Sequence, residues 1–139
     1  MKHRQLSAAI LGLVALGCVL TATVHSAEPP AISSAVAPIY PAEAKAAHVT
    51  GDVSVDITID RRGKVTSATA VNPHPLLKKA VEDAARQWTF AAAPRGQIER
   101  MARLDFTFVI SSETGGSEVT SIFYPWYYKI EVRASSGSH

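Results

Sequence analysis

A row of carboxylates is the first feature of this sequence that could do chemistry. Asp52, Asp56 and Asp60 are spaced evenly in GDVSVDITID, so they share one face of a predicted strand. Carboxylates grouped in this way are used in acid–base catalysis and in calcium sites. A solvated outer face of a sheet explains the same alternation more simply, and we take it as the default interpretation.

The histidines and hydroxyl groups form no catalytic or metal-binding motif. Outside the first 27 residues the histidines are His48, His74 and His139, and no Asp, Glu or Cys joins them at ligand spacing. No nucleophile motif of the G-x-S-x-G type occurs. We therefore predict no catalytic residue, no metal site and no cofactor.

Charge and cysteine content exclude further classes of function. The chain of 139 residues has a formal net charge of +2, to which Lys2 and Arg4 contribute. Without these two, the 14 basic residues fall to 12, which equals the 12 acidic ones. Such a balance gives no electrostatic basis for binding nucleic acid. Cys18 is the single cysteine, so no intrachain disulfide can form.

Residues 1–27 are predicted to direct export. Lys2 and Arg4 precede an uncharged apolar stretch, roughly Leu6 to Val24, which ends in small residues. Three interpretations stay open: a cleaved signal peptide, an uncleaved membrane anchor, or a lipoprotein-type site at Cys18. Each of them places the folded part outside the cytoplasm, and we expect the periplasm.

The next segment, residues 28–38, is predicted to be a solvated linker. It contains Pro29, Pro30 and Pro38 among Ala and Ser, without an apolar period. Extended, it reaches only about 35 Å at about 3.1 Å per residue.

Residues 39–112 are predicted to fold as one α+β domain. Two β-rich runs, Gly51 to Asp60 and Val65 to Val71, flank the turn residues DRRG and predict a hairpin. Leu76 to Trp88 has apolar residues at helical spacing, and Met101 to Ile110 alternates again. With a short helix at Ala42 to Ala47, the order is helix, then β-β-α-β. We expect a small antiparallel sheet packed on one amphipathic helix.

Residues 113–139 form a C-terminal extension. After a spacer at 113–118, the run from Val119 to Tyr124 precedes Pro125, and an alternating run follows the proline. We predict an additional strand there, and Pro125 argues against a single uninterrupted one.

Four short motifs give the chain a family resemblance. In order, they are YPAEA at residue 40, GDVSV at 51, DRRGKV at 60 and WTF at 88. This pattern resembles the TonB C-terminal domain, which has a YP-x-x-A opening, a G-x-V-x-V strand, a D-x-x-G-x-V turn and a helix that ends in W-x-F. The positions that carry the resemblance are Tyr40, Pro41, Gly51, Val53, Val55, Asp60, Gly63, Val65, Trp88 and Phe90.

The resemblance implies a binding module in energy-coupled transport across the outer membrane. Such domains pair, by strand addition, with the TonB box of an outer-membrane receptor. A motor of ExbB and ExbD type would be a partner only if residues 1–27 stay in the membrane as an anchor. By position, the partner-binding edge comprises Arg103, Leu104, Asp105, Phe106, Thr107, Phe108, Val109 and Ile110.

Two features depart from the energy-transducing pattern and keep an alternative open. The linker is too short to cross a periplasm, and the chain continues past the third strand. The alternative is a stand-alone periplasmic interaction protein with the same fold, with another periplasmic protein or a second copy as its partner. We also expect the extension to cover the predicted edge through Trp126, Tyr128, Ile130 and Val132.

Overall fold

The computed structural model describes residues 28–112 and 119–135. The predicted export segment therefore lies outside the described residues. Within them, no helix is long and apolar enough to cross a membrane. The elements are β1 (Ile32–Ser34), α1 (Ala42–Ala46), β2 (Gly51–Asp60), β3 (Val65–Val71), α2 (Pro75–Arg86), β4 (Thr89–Phe90), β5 (Glu99–Ser111), β6 (Thr120–Tyr124), a 3₁₀ helix (Pro125–Tyr127) and β7 (Lys129–Ser135).

The β2–β3 hairpin forms where the alternation predicts it. Its turn is closed by the Asp60 carboxylate, which accepts hydrogen bonds of 2.9 Å from the backbone N–H groups of Arg62 and Lys64. Gly63 has a φ of +91°, a conformation that a residue without a Cβ adopts at little cost. The prediction of two strands around a DRRG turn agrees with these bounds.

The core lies between one face of the sheet and the elements that cover it. Helix α2 directs Leu77, Val81, Ala84 and Ala85 onto β2 and β3. The facing side chains of the sheet are Val53, Val55, Ile57, Ile59, Ala68, Leu104, Phe106, Phe108, Ile130, Val132 and Ala134, and all of them are buried. The predicted α+β fold, with an amphipathic helix on a sheet, is confirmed.

The main sheet has five strands in the order β3-β2-β5-β7-β6. All neighbouring pairs are antiparallel except β5 and β7, which run parallel with Phe106 opposite Ile130 and Phe108 opposite Val132. The extension thus forms two strands with a 3₁₀ helix between them, where the sequence predicted one. Pro125 opens that 3₁₀ helix, in agreement with the expected break.

The segment predicted to be a solvated linker takes part in the fold. Ile32 pairs with Phe90, which joins β1 and β4 as a small second sheet. Val36 accepts a hydrogen bond of 2.9 Å from Nε1 of Trp88. The expectation of solvation is therefore wrong for Ile32 and for Ala35 to Ala37, because these residues pack against the hydrophobic core, whereas Ser33 and Ser34 are exposed.

The other face of the main sheet is polar. Asp56 forms an ion pair with Arg103, and Ser54 donates a hydrogen bond of 2.6 Å to Asp105. The hydroxyl of Thr107 donates to Asp52. These cross-strand pairs agree with a solvated outer face as the role of the carboxylate row.

Candidate peptide-binding edge

The outer edge of β5 is covered along only half of its length. β7 pairs with β5 from Asp105 to Ser111, beyond which no strand of the described residues lies against Glu99–Leu104 on that side. Six of the eight residues of the predicted partner-binding edge, Asp105 to Ile110, are therefore paired with the chain itself. An uncovered portion lies at the start of the strand.

The coverage ends at Asp105 because the extension turns away there. The backbone N–H of Asp105 donates to the carbonyl of Tyr128 at 3.0 Å, and Tyr128 has a φ of +50°. Upstream of it, Pro125–Tyr127 is a 3₁₀ helix instead of a continuing strand. The prediction that Trp126 covers the edge is wrong, since its side chain is 89% exposed on this turn. Ile130 and Val132 do lie on β5, opposite Phe106 and Phe108.

A groove of about 550 Å³ runs along the uncovered half. One wall is β5 itself, from Glu99 to Arg103, and the other is formed by Glu28–Pro30 and Tyr128. The Tyr128 hydroxyl donates a hydrogen bond to the carbonyl of Pro30 at 2.5 Å, which holds the two parts of this wall together. Burial raises the pKa of the Tyr128 hydroxyl, so this donor stays protonated. We call this feature the edge groove.

Backbone groups point into the edge groove at every second residue. Because the N–H of Asp105 faces β7, strand alternation directs the N–H and C=O of Met101 and Arg103 to the same side. Pro29 and Pro30 have no N–H to offer in return. The groove therefore presents unpaired main-chain donors and acceptors, which is the chemistry that recognises a strand.

Most side chains of the predicted edge already contact other residues of the domain. Leu104, Phe106 and Phe108 are buried in the core. Nε and Nη2 of Arg103 contact the Asp56 carboxylate at 2.6 and 3.1 Å, and these bonds lower the pKa of Asp56. Recognition at this edge accordingly depends on the backbone more than on these side chains.

Arg100 also lines the edge groove, although it is not among the predicted edge residues. Its Nη2 donates to the carbonyl of Ala91 at 2.6 Å. Its Nε is buried and has no partner, and among the described residues it is the one such side-chain atom. A buried donor without an acceptor lowers the stability of the fold. The signal available in the sequence was a cation on the inward face of β5, in line with Leu104 and Phe106.

A second free edge lies at the other side of the extension. β6 pairs with β7 alone, and the alternation leaves the N–H groups of Ser121 and Phe123 on its open side. Beside it, a groove of about 480 Å³ lies between Pro29–Ala35 and aromatic side chains of β6 and of the turn that follows it. We call it the aromatic groove; those side chains are Phe123, Trp126 and Tyr128. By contrast, the outer edge of β3 is partly satisfied, since the N–H of Ala70 donates to Glu82 of α2 at 3.0 Å.

The D-x-x-G-x-V turn and the W-x-F motif meet in space. The N–H of Phe90 donates to the carbonyl of Gly63 at 2.7 Å, and Lys64 bridges to Thr89. A Cβ at Gly63 would overlap the Phe90 carbonyl oxygen and lie 2.7 Å from its carbonyl carbon. Glycine is thus required by both its φ and the approach of β4. Val65 begins the strand that follows this turn.

The remaining motif residues position the cover of the core. The Tyr40 hydroxyl donates a hydrogen bond to the carbonyl of Val49. The ring of Tyr40 packs edge-on against the ring of Phe108, with 5.1 Å between the ring centroids. Burial raises the pKa of Tyr40. Pro41 precedes the first turn of α1, and Gly51 opens β2 with a φ of +130°. Val53 and Val55 are buried beneath these elements.

Metal chemistry finds no support in the described part of the chain, where no three His, Cys, Asp or Glu side chains are grouped closely enough to hold an ion. His48 follows the end of α1, and His74 is the N-cap of α2, where its Nδ1 accepts from the N–H of Leu76 at 3.2 Å. His139 lies outside the described residues.

Comparison with known families agrees with the motif pattern. The family model described as Gram-negative bacterial TonB protein C-terminal matches residues 36–110, which is more than half of the chain. The matched range ends within β5, so β6 and β7 lie beyond it. No curated protein matches the chain.

Proposed function

The chain belongs to the TonB C-terminal family, and from that premise we propose that it is a non-catalytic periplasmic module that binds an extended peptide by strand addition. The partner class that the family implies is the TonB box of an outer-membrane receptor in TonB-dependent transport. The observation that carries the proposal is the unpaired backbone edge at Glu99–Leu104. Main-chain pairing supplies affinity in this binding mode, with little demand on the side chains.

Force transmission accords with this mode of binding. Each backbone hydrogen bond contributes about 0.5–1.5 kcal/mol net, so a few of them hold a segment with modest affinity. When a pull acts along the strands, the bonds are loaded together. Participation of an ExbB/ExbD-type motor further requires that residues 1–27 remain as an anchor.

A second candidate is a stand-alone periplasmic interaction protein that does not transduce energy. The observation that favours it is the pairing of β7 with Asp105–Ser111, which occupies the larger share of the predicted edge. In this case the partner is another periplasmic protein or a second copy of the chain.

Titration of the exported protein with synthetic TonB-box peptides tests the first proposal. Saturable binding supports strand addition to a receptor, and its absence with peptides from several receptors refutes it. Fractionation of the cells then tests whether force from the inner membrane can reach the protein. If osmotic shock releases the protein, no pull from the inner membrane can reach it, and the stand-alone candidate is favoured. A gene deletion that leaves receptor-dependent uptake intact points the same way.

A further inference from the structure

We propose that the edge groove, and not the strand face covered by β7, is where the partner segment binds. The segment would add to Glu99–Leu104 as a short strand placed end to end with β7, on the same side of β5. This inference rests on the proposed function, since it assumes a strand-pairing partner. It adds the location, the length of the bound segment and a side-chain anchor.

The size of the groove fits a single peptide chain. A strand takes up about 160 Å³ per residue, from a rise of about 3.3 Å, a strand spacing of about 4.8 Å and a thickness of about 10 Å. The groove of about 550 Å³ therefore holds three or four residues. That length spans the N–H and C=O groups of Met101 and Arg103.

The walls of the groove favour an isolated segment over the edge of a second sheet. Glu28–Pro30 stands opposite β5, tied to Tyr128 through the Pro30 carbonyl. A strand that enters here has β5 on one side and the diproline on the other. The outer strand of another copy, backed by its own sheet, does not fit between two walls. The occupant is therefore an extended peptide from a partner protein.

Side chains on both faces of the groove define the chemistry of that peptide. On the polar face, the Met101 side chain is 77% exposed and offers an adaptable apolar surface. On the inward face, the positively charged guanidinium of Arg100 lines the groove, with its Nη2 donating to the carbonyl of Ala91 and its Nε enclosed by the protein. We expect a segment with an apolar residue over Met101 and, on the opposite face, a carboxylate that the positive charge of Arg100 attracts.

The alternative is that the partner displaces β7 and pairs with the part of β5 that β7 covers. The burial of β7 in the core opposes this displacement. Ile130, Val132 and Ala134 are almost completely buried in the core. Removal of β7 exposes them together with the edge-facing sides of Phe106 and Phe108. The edge groove needs no such opening, because it is already free.

The test is a titration of the ¹⁵N-labelled exported protein with a synthetic TonB-box peptide, followed by NMR. We expect the amides of Met101 and Arg103 and the Nε–Hε resonance of Arg100 to shift, while Lys129–Ser135 keep their exchange protection. An unmoved Arg100 resonance overturns the anchor. Loss of protection in Lys129–Ser135 overturns the location in favour of displacement.

Two matched proline variants test the location independently. Met101→Pro removes an N–H that points into the edge groove, and Ser121→Pro removes one from the open side of β6. Neither of these N–H groups bonds within the sheet, so both variants should keep their fold, which the amide spectrum checks. We expect Met101→Pro to weaken binding at least about tenfold and Ser121→Pro to leave it unchanged.

The reverse pattern moves the site to β6 and the aromatic groove and overturns the inference. Concentration-dependent shifts of the Met101 and Arg103 amides without peptide identify a second copy as the occupant and also overturn it. Absence of saturable binding in the unmodified protein refutes the proposed function itself. The other contrary outcomes leave that function standing and refute the location, the occupant or the Arg100 anchor.

Discussion

Replacement of Gly63 by alanine should destabilise the domain more than any other single-methyl addition at its turns. Gly63 has a φ of +91°, and an L-residue in such a conformation costs about 1–2 kcal/mol. Its new Cβ would also overlap the Phe90 carbonyl oxygen. The turn must then separate from β4, which breaks the hydrogen bond of 2.7 Å from Phe90 to Gly63.

The magnitude follows from these two contributions. The lost hydrogen bond and its neighbouring bridge add about 1–2 kcal/mol to the conformational cost, for a total of about 2–4 kcal/mol. Since small domains are stable by only about 5–15 kcal/mol, the variant should unfold at a visibly lower urea concentration.

Gly96 supplies a matched control. It also has a φ of +91°, but a Cβ there meets no atom within 4 Å. Gly96→Ala should therefore cost only the conformational part, about 1–2 kcal/mol. Urea denaturation followed by far-ultraviolet circular dichroism measures both variants against the unmodified protein. Equal losses for the two glycines, within about 0.5 kcal/mol, would refute the argument that β4 makes Gly63 indispensable.

Three further predictions concern the core, the turn and the extension. Trp88→Phe removes the hydrogen bond to Val36 together with ring volume, and should lower the free energy of unfolding in urea by about 1–3 kcal/mol; an unchanged midpoint contradicts this. Backbone hydrogen bonds, chiefly from Lys64, lower the pKa of Asp60, so its contribution to stability is present above about pH 4 and is lost as pH falls below that. Asp60→Asn should accordingly lose less free energy of unfolding than the unmodified protein between pH 5 and pH 2. Parallel curves of the free energy of unfolding against pH would refute this. In hydrogen exchange, the amide of Thr107 beneath β7 should exchange much more slowly than that of Met101 in the open half of β5; equal rates contradict the half-covered edge.

Those parts of the fold that depend on local periodicity were predictable from sequence. The alternation in Gly51 to Asp60 and the helical spacing in Leu76 to Trp88 reflect the one-sided burial of each element, so their types and approximate bounds agree with the structure. The turn residues of the hairpin were equally informative, because a carboxylate and a glycine are needed there for stated physical reasons.

Pairing between distant segments was not predictable in the same way. Alternation in the extension indicates a strand, but it contains no information about a parallel neighbour, and so the coverage of β5 from Asp105 onward came from the structure. The composition around Pro29 and Pro30 is typical of a linker, whereas Ile32 to Val36 are held by Trp88 and β4, which are distant from them in the sequence. The position of Arg100 in the groove was not predictable, because the groove is formed by segments that are distant in the sequence.

The position of β7 has a consequence for how the domain is completed during synthesis. β7 is the last described element in the chain, yet it lies inside the sheet, and β6 is joined to the sheet only through it. Although β6 precedes β7 in the chain, it can therefore join the sheet only after β7 has been synthesised. Until Lys129–Ser135 have left the ribosome, the whole outer edge of β5 stays open, exposed to chaperones, proteases and neighbouring strands.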